Sequence, residues 1–263
     1  MYTQPTAPQT IGGVLDDAVN LYRNCLPRSW PLALAPEVAL TFTNIYIESK
    51  LPPHASADPQ AILALLQSGD FVFSALFSIV VLLLFNVALT HHMHALATGR
   101  PASPGRSLGV GLRLLPRAIG AWVVLAAATA VGTLLLIVPG IYVAGALMLT
   151  FVAMIVGDLG VLQSIGESHR LVKGHWWRAV TIYSVATVIA LVFYVILVLV
   201  TGLAAMSGPT ASALTVGLRR LVGVAIGTLM TLWFPAVLLS LYYDLTLRRT
   251  AAAGPPAGGA VAG

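Results

Sequence analysis

From Thr187 to Val200 the chain reads TVIALVFYVILVLV, apolar on nearly every face of a helix and without a charge. A helix that is hydrophobic all round must be buried, in a large core or in a bilayer. The rest of the sequence has little to cover it with. Of 263 residues 58% are hydrophobic and 9% charged, mean hydropathy is +0.89, and soluble domains usually carry about 25% charge. Crossing a bilayer as a helix takes roughly 20 mostly apolar residues. Six stretches reach or approach that length: about 28–47, 71–90, 118–138, 141–157, 176–203 and 221–243. Lipid leaves the backbone of an open sheet unsatisfied. The expectation is an all-α, polytopic membrane protein with six transmembrane helices.

Charge sorts by loop. With six spans, one side carries Arg23, Arg28, Arg100, Arg106, Arg113, Arg117, Arg170, Lys173, Arg178, Arg248 and Arg249, and the other only Lys50, Arg219 and Arg220. Positive charge collects on the cytoplasmic side, so both termini are expected there, in an inner membrane. The basic residues follow membrane edges and form no aromatic-interleaved patch, which argues against nucleic acid as a partner. MYTQPTAPQT has no positive residue and no apolar core, unlike a cleavable signal peptide. The lone Cys25 has no second cysteine to pair with.

Three segments read as amphipathic helices lying in the interface. In residues 10–25, Ile11, Val14, Leu15, Ala18, Val19, Tyr22 and Cys25 share one face, with Asp16, Asp17, Asn20, Arg23 and Asn24 opposite. Thr10 is placed as its N-cap. In SLGVGLRLLPR (107–117), Leu108, Leu112 and Leu115 form the stripe. The third includes the densely charged GESHRLVKGHWWRAV (166–180). Val161, Leu162, Ile165 and Val172 oppose Gln163, Glu167, Arg170 and Lys173, and Gly174 stops the helix. Thr10-Ile11-Gly12, Ser107-Leu108-Gly109 and Ser164-Ile165-Gly166 open the three alike. This pattern predicts three pseudo-repeats, 10–98, 107–157 and 164–249, each a surface helix followed by a two-helix hairpin. A short outer helix is expected around 59–67, tight turns at Val138-Pro139-Gly140 and 207–212, and unfolded ends at 1–9 and 250–263.

Several of these segments look like one family. IGGVLDDAVNLYRN, Pro139-Gly140-Ile141, the pattern of Ser168, Leu171, Lys173-Gly174 and Trp176-Trp177-Arg178, and Tyr242-Tyr243-Asp244-Leu245 with Arg248 resemble bacterial six-helix membrane proteins. Those proteins are related to the membrane domain of glycerophosphoryl diester phosphodiesterases. The resemblance covers about 10–249 and implies a fold and an inner-membrane address. It implies no hydrolase activity, because the catalytic barrel of fused members has no counterpart here.

Few polar residues lie within the spans. Glu37, beside Pro36, sits about 10 Å into the first span by helix rise. A carboxylate at such depth is a ligand or ion site, or else a structural group with a partner. Asn86, Thr41 and Thr43 are its candidate neighbours. His91 and His94 share a face and are weak metal candidates; His92 lies between them. Trp30, Trp176, Trp177, Arg178, Tyr242, Tyr243, Asp244 and Arg248 read as interfacial anchors, with Asp244 and Arg248 a helical i, i+4 pair. Gly223 and Gly227 form a GxxxG that packs the bundle or a homodimer. No nucleophile, metalloprotease, phosphate-loop or dinucleotide pattern occurs, and no cofactor is expected. The sequence thus favours a non-enzymatic scaffold or accessory subunit, acting on lipid organisation or on a cytoplasmic partner. The alternatives are a small-molecule or lipid carrier using Glu37 and, further off, a membrane-embedded lipid enzyme using Glu37 or the histidines.

Overall fold

A computed structural model describes residues 2–50, 59–205 and 213–252. Among them every regular element is a helix: α1 (Ile11–Lys50), α2 (Pro59–Leu66), α3 (Gly69–Ala97), α4 (Pro104–Leu135), α5 (Ile137–Leu147), α6 (Thr150–Gly157), α7 (Val161–Val172), α8 (Trp176–Ala205) and α9 (Ala213–Ala252). Five stretches are long and apolar enough to cross a membrane: Gly69–Ala97, Pro104–Leu135, Val138–Gly157, Trp176–Ile196 and Val216–Ala252. The chain is an integral membrane protein of helical type. The turn at 207–212 and the tail from 253 lie outside the described residues.

The expected sixth span, 28–47, is not one of the five. It lies inside α1, whose 40 residues reach about 60 Å, ample for a crossing. What α1 lacks is apolarity, because Pro27, Pro31, Pro36, Glu37 and Asn44 interrupt it.

Two of the three separate surface helices are also corrected. Residues 10–25 and 28–47 form one uninterrupted helix, and 107–117 runs on into α4 through Pro116. Only the third is free-standing, as α7. It ends at Gly174, whose φ of +84° suits a residue without a side chain. The buried faces differ too. Along α4 it is Ser107, Gly111, Leu114, Ala118 and Ala121 that face protein, while Leu112 points outward. Along α7 Ser164, Ser168, Leu171 and Val172 turn inward and Leu162 outward. In a membrane the large apolar side chains have lipid to face, and small residues let helices approach. Gly111 shows why: a Cβ there would press on Leu84 and Ala88 of α3.

α1 packs along the whole of α9, and α3 packs on α1 and α4. α8 lies against α9 with most of its aliphatic surface exposed, as its sequence predicts. Trp233 of α9 donates to the Ala186 carbonyl of α8 at 3.0 Å and meets Tyr22 edge-on. The expected span 141–157 is two pieces, α5 and α6. Ser168 of α7 explains the break: its hydroxyl donates to the Ala146 carbonyl (3.0 Å) and accepts from the Leu149 amide (3.2 Å). It thereby satisfies backbone groups that the interruption frees.

Contacts at the two ends of the bundle set the chain directions. At one end Gln9 meets Asp244 and Arg248, His94 meets Tyr243, Ser107 meets His91 and His92, and Arg117 meets Asp158. At the other, Glu48 meets Arg220, and Tyr46 and Lys50 meet Asp70.

Candidate functional site

Glu37 lies where α1 crosses α9. Its Oε1 accepts a 2.6 Å hydrogen bond from the Thr231 hydroxyl. Its carboxylate occupies the space that a side chain at position 227 would need, so Gly227 makes room for it. Thr41 and Thr43 do not join this carboxylate: their hydroxyls donate to the backbone carbonyls of Glu37 and Ala39 on their own helix. Among the described residues no donor reaches Oε2.

From Glu37 a groove of about 260 Å³ runs between the two helices toward the Glu48–Arg220 end. Glu37, Thr41, Asn44, Ile45 and Glu48 line it from α1, at successive turns of one face, and Arg220, Gly223 and Val224 from α9. Gly223 hollows it out. A Cβ at Gly223 would meet nothing within 4 Å. Arg220 and Glu48 pair at 2.5 Å at its outer end. Of the Gly223/Gly227 pair, Gly227 receives an intramolecular neighbour and Gly223 stays open.

Asn86 belongs elsewhere. It lines an apolar cleft of about 270 Å³ with Leu82, Thr90, Trp122, Phe151 and Leu238, in the angle between α3, α4, α6 and α9. A second apolar cleft of about 400 Å³ lies between Ile141 and Gly145 of α5, Met148 just beyond it, and Val180 and Tyr183 of α8, and Leu238 reaches it too. Nothing in the local sequence around Asn86 distinguishes a cleft facing α4 from one facing α1.

The histidines diverge. The Nδ1 atoms of His91 and His92 approach the Ser107 hydroxyl at 3.3 and 3.0 Å, whereas His94 Nδ1 is 2.8 Å from the Tyr243 hydroxyl. Among the described residues no three His, Cys, Asp or Glu side chains converge. His91 and His94, the weak metal candidates, thus serve two separate helix contacts.

The anchors split into two kinds. Trp30 and Trp177 are exposed, and Trp176 stacks on Tyr142 while donating to its carbonyl at 3.1 Å. Asp244 is no surface anchor: it is 2% exposed and accepts from both Arg178 and Arg248 at 3.0 Å. Its second oxygen accepts from the Gln9 amide at 2.8 Å, and both arginines also donate to the Gln9 carbonyl. The i, i+4 pair is legible in the sequence; Arg178 and Gln9, 66 and 235 residues away, are not. Residues 2–9, expected to be unfolded, are non-helical but held through Gln9 and Tyr2. The Tyr2 hydroxyl donates to Asp17 at 2.9 Å. Asp17, assigned by periodicity to the wet face, is buried, and Tyr2 half-buried against it. Burial pushes the Asp17 carboxyl above its ordinary range, with the Tyr2 and Ser240 hydroxyls pulling the other way. Burial together with the Asp17 charge pushes the Tyr2 hydroxyl up, and burial pushes the Cys25 thiol up to about 12.

No family model matches the sequence, and no curated protein or solved structure matches it.

Proposed function

We propose that this chain is a non-catalytic membrane scaffold or accessory subunit that organises lipid, with six crossings and both ends in the cytoplasm of a bacterial cell. The observation that carries the lipid reading is the pair of apolar clefts meeting at Leu238. Both are lined by side chains an acyl chain would prefer to water, and Asn86 and Thr90 supply only a small polar margin. The sixth crossing is assigned to the outer half of α1, because Gln9 and Arg248 lie at the same end of the bundle. The positive charge of the loops supports that end as cytoplasmic. Resemblance to the six-helix bacterial proteins fits the same address. A protein partner on that face would meet the exposed charges of Arg170 and Lys173.

The test is lipid retention. Leu238→Trp puts bulk into both clefts at once, and native mass spectrometry of the purified protein counts the phospholipids that remain. Fewer bound lipids than in wild type are expected. An unchanged lipid count in a folded variant rejects the reading.

A second reading, a carrier with Glu37 in its site, is favoured by one observation. The groove beneath Glu37 runs toward the end opposite the arginine-rich one, and one carboxylate oxygen has no donor among the described residues. Flux of a solute into proteoliposomes that Glu37→Gln abolishes is its expected signature.

A further inference from the structure

We propose that the groove between α1 and α9 binds a small organic ammonium group, with Glu37 as its counter-ion. The proposal deepens the carrier reading and rests on it only for the claim that the ligand moves. Its premise is an uncompensated carboxylate. Thr231 satisfies one oxygen of Glu37, the other has no donor among the described residues, and the half-buried side chain lines the groove, where an opposite charge beside it is favourable.

The acceptors around that oxygen match an ammonium group. An alkylammonium has three N–H donors to place. Glu37 Oε2 takes one. Thr41 spends its hydroxyl hydrogen on the Glu37 carbonyl at 2.8 Å, which leaves its oxygen as an acceptor. Asn44, one turn further out on the same face, offers an amide oxygen. A hard divalent cation is a poorer match, since calcium takes six to eight oxygen ligands and no three acidic or histidine side chains converge among the described residues. The volume, about 260 Å³, also exceeds a bare ion. Ile45, Val224 and the face of Gly223 give the remaining wall to carbon atoms.

At the mouth Arg220 is paired with Glu48, so the entrance holds no net charge against a cation. The same guanidinium has donors to spare for a phosphate. The ammonium group could thus come from a free amine or from an aminophospholipid headgroup. The chemistry at Glu37 is the same for both.

The experiment uses the full chain in detergent and follows adducts by native mass spectrometry. Ethanolamine is titrated in one arm and phosphatidylethanolamine in another, with phosphatidylglycerol as the lipid without an amine. One saturable amine adduct is expected, weakened at least ~10-fold by Glu37→Gln, the loss of one charge-assisted hydrogen bond. Gly223→Leu fills open space in the groove and is expected to weaken it as well. Binding of ethanolamine itself identifies a free-amine site; binding of phosphatidylethanolamine alone identifies a headgroup site. No amine adduct on wild type, or adducts that phosphatidylglycerol matches and both variants keep, overturns the proposal. If Glu37→Gln does not fold, carbodiimide labelling of Glu37 in the wild type decides. Ethanolamine or phosphatidylethanolamine must slow it, and unslowed labelling overturns the proposal equally. Binding without flux of labelled ethanolamine into proteoliposomes keeps the site and removes the carrier reading.

Discussion

At the scale of single residues, the buried acids are the most exposed to test. Asp244 neutralises two arginines that are themselves 17% and 25% exposed. Asp244→Asn leaves both without a counter-charge, and an uncompensated buried charge costs roughly 3 kcal/mol. The expected result is a lower thermal midpoint in detergent, read by maleimide labelling of Cys25, which is buried when the protein is folded. Asp17 behaves differently. A carboxyl held above its ordinary range binds its proton more tightly in the folded state than in the unfolded one. It therefore favours folding at acid pH, and that contribution is lost as pH rises from the ordinary carboxylate value through the raised one. Asp17→Asn should match wild type near pH 4 and gain on it toward neutrality; a thermal-midpoint difference that does not grow with pH contradicts this. The sequence marks Glu37 as exceptional because a charge stands out in apolar surroundings. It hides Asp17, since helical periodicity assigns charge to the wet side and cannot register a tyrosine arriving from outside the helix.

At the scale of elements, the helices were legible and their breaks were not. Composition alone locates α3, α8 and α9, because apolar runs of that length have few alternatives. Gly174 and Thr10 are also legible as stop and cap, since each acts locally: Thr10 accepts from the Gly13 amide at 3.1 Å. The split between α5 and α6 depends on Ser168, a residue of another helix, and periodicity carries no trace of it. The turn between α4 and α5 is closer still. A Cβ on Gly140 would stand within 3.0 Å of the Thr133 amide and Cα, backbone atoms that cannot rotate away. Gly140→Ala should destabilise the protein by about 1–3 kcal/mol through overpacking. Adding Thr133→Ala should not restore it, because the backbone contact remains. Full rescue, measured by thermal unfolding, would show that only the threonine hydroxyl matters there.

At the scale of the whole molecule, topology is the open quantity that one experiment settles. Even crossings return the chain to the side it left. Reporter fusions placed before residue 10 and after residue 249 should both report the cytoplasm. Reporters on opposite sides would mean five crossings and a first helix that does not span. The sequence expected the same topology from loop charge, but expected α1 to look like its neighbours. It does not, because Pro27, Pro31, Pro36, Glu37 and Asn44 interrupt its apolar run, although Val38, Phe42 and Tyr46 remain exposed along one face.

The long seam between α1 and α9 has a consequence for how the protein is made. Among the described helices, α1, the first in chain order, finds its principal partner in α9, the last. Until α9 arrives, the Glu37 carboxylate has no Thr231 to donate to it and no Gly227 to receive it. These groups stay without their partners while the intervening helices are synthesised, so the seam can close only once both helices are present.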